Sequence, residues 1–389
     1  MMKKWLVARF LPILLLFASL ISPVGSSLQP SLALQPTRAA EMDNGIGFNV
    51  DGIGLDGPGQ GRMFDRIGET HFGWIRQQVR WSSYEPVKGQ FQNGYVAQVD
   101  TLVGAAAAKG YGVLLSVVNS PDWAGEGGGL PHNARDFGDF MRFITARYQS
   151  KVRAYEIWNE QNLAYETGGL VDVGSYLAVL KQGYKAVKGV DPGTLVVFGG
   201  LVPNGIVDHP DVALDDITYL KQIYKVNNGE VRKYYDVLGA HAEAACNPPD
   251  SAWPDDPPTT PCGTDADGTR AFTADNPFYF KRIAQLRAVM EQHGEGEKPI
   301  WVTEFGWSSM AQPDSEHAFA AYVTEQQQAR YLVRALEIGQ SYDWVGVMFV
   351  WNLNFQVTSN ATDEKWGYGI LRPDWSPRPA FTALKNVHG

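Results

Sequence analysis

The chain has 389 residues, of which 44% are hydrophobic and 12% aromatic, enough to bury a large globular core. Its 33 basic and 42 acidic residues give a formal net charge of −9, which offers no electrostatic footprint for nucleic acid. A neutral polymer such as a polysaccharide remains compatible as a partner.

The first forty residues differ from the rest of the chain. Basic residues precede an apolar run over 10–21, and Arg38-Ala39-Ala40 follows a Ser- and Pro-rich stretch, which is typical of a secretory signal peptide. A membrane anchor is the alternative, but a spanning helix needs about 20 apolar residues. We therefore predict a signal peptide and tail over 1–40, one domain over 41–389, and a secreted (extracellular or periplasmic) protein without a stable membrane span after signal removal.

After residue 41, short β-rich runs alternate with helix-period stretches, which indicates a parallel sheet built from βα units. The predicted strands are Gly45–Asp51, Trp74–Trp81, Gly112–Val118, Arg153–Glu160, Leu195–Gly199, Val237–His241, Pro299–Glu304 and Trp344–Trp351. Eight such units predict an α/β protein with a single (β/α)8 barrel (TIM barrel) and enlarged βα loops, because these barrels span roughly 200 to more than 400 residues. A doubly wound open sheet is the alternative.

A barrel places catalytic groups at the C-terminal ends of its strands. Five polar or aromatic residues end predicted strands, namely Arg80, Glu160, His241, Glu304 and Trp351. A closed barrel brings these ends together, whereas an open sheet does not obviously do so.

Two of these residues are glutamates within Tyr155-Glu156-Ile157-Trp158-Asn159-Glu160 and Ile300-Trp301-Val302-Thr303-Glu304-Phe305-Gly306-Trp307. Glycoside hydrolysis needs one protonated carboxyl that donates to the leaving oxygen and one ionised carboxyl that attacks or activates water. A separation of about 5–5.5 Å between them implies retention, and about 6.5–9.5 Å implies inversion. The pair therefore predicts a glycosidase.

The neighbours of the pair have predicted supporting roles. Arg80 is a candidate partner that keeps Glu304 ionised, although Glu304 is otherwise explained as a structural carboxylate in an ion pair. The Asn159 amide is a candidate donor to a sugar hydroxyl, with a strand-closing hydrogen bond as the alternative. His241 is expected to bind substrate or nucleophile. Glu156, on the same strand face as Glu160, is expected to form an interior ion pair.

Trp123, Trp307 and Trp351 are candidate platforms for sugar rings, although most tryptophans are core residues. Trp351 is the strongest candidate because it ends a strand. No His-Glu-x-x-His or Gly-x-Ser-x-Gly motif is present, and we predict neither a metal nor a cofactor.

The longest irregular stretch, Asn247–Asn276, follows the sixth predicted strand and is rich in proline. In a barrel it overhangs the active-site end. Its Asp265-Ala266-Asp267-Gly268 resembles a calcium loop, but Asn276 stands where such a loop needs glutamate. The two cysteines, Cys246 and Cys262, are expected to form a disulfide in an exported protein, with two free thiols as the alternative.

The Trp-Asn-Glu and Thr-Glu-Phe-Gly-Trp segments resemble those of retaining glycoside hydrolases of clan A. Together with Asn119-Ser120-Pro121-Asp122-Trp123, the first segment is most similar to family 39, followed by family 5. The resemblance implies that Glu160 is the acid/base, Glu304 the nucleophile, Asn159 a contact to the 2-hydroxyl, and Arg80 and His241 supporting groups. Many clan members carry a tyrosine shortly after the strand-six histidine, where this chain has Ala242-Glu243. Glu243 is therefore expected to face the cleft as a third carboxylate.

These observations predict a secreted retaining glycosidase acting on oligo- or polysaccharides, with β-linkages favoured. The alternatives are a sugar-binding protein on an enzyme-like barrel and a transglycosylase. Two opposed carboxyls argue against pure binding, because binding alone does not need them.

Overall fold

The computed structural model describes residues 45–252, 277–315 and 317–387, and the strands in them form one closed parallel barrel. The strands are β1 (Gly45–Asn49), β2 (Trp74–Arg80), β3 (Gly112–Val118), β4 (Ala154–Ile157), β5 (Leu195–Leu201), β6 (Val237–His241), β7 (Ile300–Phe305) and β8 (Val345–Val350). Because β1 pairs with β8 as well as with β2, the sheet has no open edge. The predicted (β/α)8 barrel is confirmed, and the doubly wound sheet is wrong.

Helices lie between and after the strands. The α-helices are α1 (Gly57–Gly68), α2 (Trp81–Tyr84), α3 (Asn93–Ala108), α4 (Ala134–Arg147), α5 (Ala164–Thr167), α6 (Val173–Val190), α7 (Asp216–Lys225), α8 (Ile283–Gln292), α9 (Glu325–Gln340), α10 (Phe355–Thr358), α11 (Glu364–Tyr368) and α12 (Pro379–Leu384). Short 3₁₀ helices cover Val226–Asn228, Glu230–Lys233, Phe280–Arg282 and Ala318–Tyr322. The shortest α-helices, α2, α5, α10 and α11, lie in loops that follow β2, β4 and β8.

The barrel interior changes character along its axis. Near the N-terminal ends of the strands it is filled by aromatic rings, with Trp74 and Trp301 in edge contact at 5.1 Å. Near the C-terminal ends, the next inward-facing positions carry Arg76 and Glu156, both fully buried. The apolar layer holds the barrel closed, and the polar layer above it provides the base of a site.

The larger apolar cluster lies between the barrel and its surrounding helices. Strand β3 is buried at all seven positions because its two faces serve both regions. This double burial explains why its sequence is a continuous apolar run apart from Ser116.

Strand β4 ends at Ile157, three residues before the predicted end at Glu160. Trp158 and Glu160 have φ angles of 70° and 47°, which β structure does not accommodate, so the chain leaves the sheet there. Glu160 is therefore on the loop after β4, and its backbone N–H donates to the Gly200 carbonyl at the end of β5.

Several predicted features lie outside the described residues, namely the segment 1–40, Cys262, residues 253–276 of the proline-rich stretch and Asp265–Asp267. Cys246 is disulfide-bonded. Within the described ranges, no helix is both long and apolar enough to span a bilayer.

Candidate active site

Three side chains from three strand ends meet at the C-terminal end of the barrel. Nδ1 of His241 and Oε1 of Glu160 are hydrogen-bonded at 2.8 Å, and Nε2 of His241 is 3.5 Å from Oε1 of Glu304. One carboxylate oxygen of each glutamate and a nitrogen of His241 all lie within 4.8 Å of one another. The two predicted catalytic glutamates therefore face each other across a single imidazole.

Arg76, in the middle of β2, is the partner of Glu304. Its Nη1 donates to Oε1 of Glu304 at 2.6 Å and to Oδ1 of Asn49 at 2.7 Å. Its Nε donates to Oε2 of Glu156 at 2.7 Å, and its Nη2 to Oδ1 of Asn159 at 2.6 Å. One buried guanidinium thus orients four side chains from β1, β4, β7 and the loop after β4, using the several donors that arginine presents in a fixed plane.

The prediction that Arg80 pairs with Glu304 is wrong. Arg80 points to the same side of β2 as Arg76, but it lies four residues further along, at the exposed rim. Within the described chain, its guanidinium donates one hydrogen bond, to Oδ1 of Asn119 at 3.4 Å. Arg76 was not singled out from the sequence, although a charge two residues after the buried Trp74, on the same strand face, could have identified it. Glu156 is the interior, ion-paired residue that the sequence predicted.

Asn159 is buried and is oriented by Arg76 through its Oδ1 atom. That bond fixes the amide so that its NH2 group is on the opposite side. The structure shows no strand-closing hydrogen bond from the Asn159 side chain to the described backbone. A role as donor to a sugar hydroxyl stays a prediction, with the amide group held in place for it.

His241 fits beside β5 because residue 200 is a glycine. A Cβ atom at Gly200 would lie 2.3 Å from Nε2 of His241 and 2.6 Å from Oγ1 of Thr303. The Gly200 backbone N–H also donates to Oε1 of Glu156 at 3.0 Å. The missing side chain at this position makes room for the imidazole.

The electrostatic surroundings differ between these groups. Burial raises the pKa of Glu304, and the positive charges of His241 and Arg76 oppose that rise. Burial by itself lowers the pKa of His241, but the charge of Glu304 and the hydrogen bond to Glu160 outweigh it and bring the value to about 8. The imidazole lies between the two carboxyl groups, and their negative charges favour its protonated form.

The three predicted tryptophan platforms have different surroundings. Trp307 is fully buried, donates from Nε1 to the Asn247 carbonyl at 2.8 Å and packs on Tyr331, so the prediction of a sugar platform there is wrong. Phe280, in the 3₁₀ helix after β6, contacts the same ring at 6.4 Å between centroids. Trp123 donates to the Glu85 carbonyl at 3.0 Å and contacts Trp81, so its contact with sugar stays a prediction.

Trp351 follows β8 and lies in the wall of a cavity of about 530 Å³. The cavity lies beside the loops after β1, β2 and β8, and its lining includes Arg76, the partner of Glu304, together with Asn49, Arg80, Trp351 and Phe355. Phe355 supports the Trp351 ring in edge contact at 4.9 Å. A volume of this size with an aromatic wall and polar groups is suited to sugar rings.

Sequence reasoning missed several residues near Glu160. The Tyr165 hydroxyl is 3.3 Å from Oε2 of Glu160, and Glu166 follows it in α5. Glu364 and Tyr368 come from α11, far along the chain. These residues lie in the loops between strands, where no hydrophobic periodicity marks their position. The sequence therefore carries no signal for them. Glu243, which the resemblance did single out, interacts electrostatically with Glu160 and Glu364.

Comparisons with known proteins identify the same class. The family model described as "Cellulase (glycosyl hydrolase family 5)" matches residues 41–226. No curated protein sequence gives a significant match.

Solved structures share the fold. A family 39 glycoside hydrolase from Bacteroides cellulosilyticus WH2 is 20% identical with a TM-score of 0.63, and the alignment covers 89% of this chain. This chain spans 64% of that protein's length. A family 39 β-xylosidase from Caulobacter crescentus is 18% identical with a TM-score of 0.58, covering 88% and 70% of the two chains. A family 5 protein from Streptomyces cattleya, in complex with Manβ1-4GlcNAc, is 14% identical with a TM-score of 0.62, covering 88% and 79%.

These structural similarities establish the barrel, and the family-model match covers its first half, including Glu160. The paired glutamates after β4 and in β7 occupy the positions that the resemblance predicted. Residues 41–226 therefore match a glycoside hydrolase family of clan A, and the described chain has the (β/α)8 barrel of that clan.

Proposed function

We propose that the protein is a secreted retaining glycosidase that hydrolyses β-linked oligo- or polysaccharides by double displacement. Glu304 is the nucleophile, and Glu160 is the acid that later acts as base. The observation that carries this proposal is the approach of one oxygen of each carboxylate to within 4.8 Å of the other. This distance favours the close pair of a retaining enzyme, because an inverting pair leaves room for a water molecule between its members.

In the first step, Glu160 donates its proton to the glycosidic oxygen while Glu304 attacks the anomeric carbon. The bond to the leaving sugar breaks and a glycosyl-enzyme ester forms on Glu304. Arg76 orients the attacking carboxylate and favours its ionised form. In the second step, Glu160 takes a proton from water, which attacks the ester and frees Glu304.

Asn159 and Trp351 bind the sugar that is attacked. The Asn159 amide, fixed through Arg76, donates to the hydroxyl next to the anomeric carbon, and such bonds strengthen in the transition state. Trp351 supports the sugar ring in the cavity that opens toward β1, β2 and β8. The preference for β-linkages is supported by structural neighbours, which include a β-xylosidase and an exo-β-1,4-mannosidase.

The test is a panel of 4-nitrophenyl β-glycosides and of plant and microbial polysaccharides, assayed with the native protein beside Glu160→Gln and Glu304→Gln. We expect cleavage by the native protein alone, because each substitution removes one member of the pair. Sugar binding without products, measured by calorimetry on the same panel, would instead favour a binding protein.

The stereochemistry separates the two carboxyl roles. Glu304→Ala should lose turnover and regain part of it with azide, which enters the vacated space and gives an α-glycosyl azide from a β-glycoside. A β-glycosyl azide from this variant would contradict the assignment of Glu304 as nucleophile.

A further inference from the structure

Glu160 has a hydrogen-bonding neighbour at each of its two carboxyl oxygens. Oε1 is 2.8 Å from Nδ1 of His241, and Oε2 accepts a hydrogen bond from the hydroxyl of Tyr165 at 3.3 Å. His241 belongs to β6 and is 2% exposed, whereas Tyr165 belongs to the loop after β4 and is 69% exposed. The two oxygens of the proposed acid therefore have different surroundings.

The contact with His241 decides which oxygen carries the proton that Glu160 donates. The charges of Glu304 and Glu160 favour the protonated imidazole, in which Nδ1 carries a hydrogen directed at Oε1. A proton on Oε1 would face that hydrogen at close range. Protonated Glu160 therefore carries its proton on Oε2, beside the hydroxyl of Tyr165, and the leaving oxygen receives it from there.

The backbone around Tyr165 is tied to its neighbours. Tyr165 is the second residue of α5, and the N–H of Ala164 before it donates to the Val212 carbonyl, in the loop after β5, at 2.9 Å. The carbonyl of Glu166 after it accepts from Nε1 of the buried Trp158 at 2.9 Å. These contacts hold the backbone of the tyrosine in place beside the acid.

The hydroxyl of Tyr165 has no other partner in the part of the chain that the structure describes. Its hydrogen bond to Glu160 is the one that the side chain forms there, and the exposed ring contributes little to the core. A phenol titrates near about pH 10, so the hydroxyl keeps its proton at neutral pH and remains a donor. Its position is thus explained by the acid and not by packing.

The hydrogen bond from Tyr165 changes in strength during the first step of the proposed reaction. The proton moves from Oε2 to the glycosidic oxygen, the bond between the anomeric carbon and that oxygen breaks with its electrons on the oxygen, and the carbon forms an ester with Glu304. Oε2 becomes an anionic acceptor, and hydrogen bonds to ionised groups are roughly twice as strong as those between neutral groups. An interaction that strengthens toward the transition state lowers the barrier.

We propose that Tyr165 is a positioning residue of the acid step. Its hydroxyl keeps Oε2 of Glu160 directed at the leaving oxygen and stabilises the carboxylate that forms as the proton departs. This inference rests on the proposed glycosidase function and adds a residue to its acid. The contribution of Tyr165 should therefore grow with the need of the leaving group for a proton.

Aryl glycosides with different leaving groups separate this role from a structural one. A 2,4-dinitrophenolate ion departs without a proton, whereas phenol requires one. The assay measures kcat/KM of the native protein and of Tyr165→Phe with both aryl glycosides of the sugar that the native protein cleaves fastest. We expect a loss of about tenfold with the phenyl glycoside, because a hydrogen bond to a charged group is removed, and of less than about twofold with the dinitrophenyl glycoside.

Two further variants test whether the hydroxyl acts through Glu160. When Tyr165→Phe is added to Glu160→Gln, the remaining kcat/KM with the 4-nitrophenyl glycoside should fall less than about twofold, because the carboxylate on which the hydroxyl acts is absent. Tyr322→Phe removes the hydroxyl of another exposed tyrosine, in the 3₁₀ helix after β7, and should keep the native kcat/KM with both glycosides. Circular dichroism confirms that each variant is folded.

Equal losses with the phenyl and dinitrophenyl glycosides would overturn the proposal, because a structural effect does not depend on the leaving group. A native kcat/KM of Tyr165→Phe with both glycosides would also overturn it, as would a further tenfold loss in the Glu160→Gln background. Failure of the native protein to cleave either glycoside would overturn the glycosidase together with this inference. A failed positioning role and a failed enzyme therefore give different results.

Discussion

Arg76 donates hydrogen bonds to Oε1 of Glu304 at 2.6 Å and to Oδ1 of Asn159 at 2.6 Å. One side chain therefore orients the proposed nucleophile and the residue that precedes the proposed acid. The same guanidinium neutralises Glu156 at the base of the site. The geometry of the carboxyl pair depends on this single cation more than on contacts between the two glutamates.

Arg76→Lys should lower kcat/KM on the order of a hundredfold, because lysine keeps the charge but cannot hold four acceptors in one plane. The weaker interaction with Glu304 should also raise the pKa of that carboxyl, so the acidic limb of the kcat/KM profile should move to higher pH. Steady-state kinetics from pH 4 to pH 9 with an aryl glycoside provides the measurement. A variant with native kcat/KM and an unshifted acidic limb would contradict this role.

His241 should make stability depend on pH. Its pKa of about 8 in the folded protein exceeds the ordinary value of 6.5, so its contribution is complete below about pH 6.5 and is lost as the pH rises through 8. The contribution amounts to about 2 kcal/mol, from a difference of 1.5 pH units. Urea unfolding of the native protein and of His241→Asn at pH 6 and pH 9 measures it. The difference in unfolding free energy between the two proteins should shrink toward pH 9, and a constant difference would refute the prediction.

Trp351 and Trp307 form a matched pair of tryptophans with opposite expected effects. Trp351→Ala should raise KM at least about tenfold with little change in the unfolding midpoint, because a partly exposed ring in the cavity wall is lost. Trp307→Phe should leave KM near the native value and lower the midpoint, because a buried ring loses its hydrogen bond to the Asn247 carbonyl. Kinetics and thermal unfolding of both variants distinguish the two roles. A raised KM in Trp307→Phe alone would reverse the assignment.

Chelation should leave activity unchanged. Although atoms of Glu160, His241 and Glu304 lie within 4.8 Å of one another, Arg76 is bonded to Glu304 and adds a positive charge that disfavours a bound cation. Activity after dialysis against EDTA, followed by addition of Mg²⁺, Ca²⁺ or Zn²⁺, measures this. Loss of activity that one of these ions restores would show that the site needs a metal.

The sequence predicted the fold well because the barrel follows from local patterns. Apolar strands alternate regularly with helices that end at glycine. Two strands have the bounds that were predicted, namely Gly112–Val118 and Val237–His241. The end of β4 was predicted too late because left-handed backbone at Trp158 and Glu160 leaves no mark in the apolar pattern.

The site was predicted in part for a similar reason. His241 and Glu304 lie at the ends of apolar strands and Glu160 follows one, and their convergence follows from closure of the barrel. The partner of Glu304 was misassigned because the height of a residue inside a barrel depends on strand stagger, which places Arg76 rather than Arg80 level with Glu304. The burial of Trp307 depends on packing by loops from distant parts of the chain, and no short segment encodes it.

Gly200 carries no functional group, yet the site is built around the space it leaves. Any mutation that adds a side chain there must displace the imidazole, so the glycine and His241 can change during evolution only as a pair. In a mutational scan, position 200 would score as intolerant as the catalytic glutamates while offering no atom to the reaction. A search for conserved polar residues would therefore miss position 200, although the site depends on the space that Gly200 leaves for the imidazole.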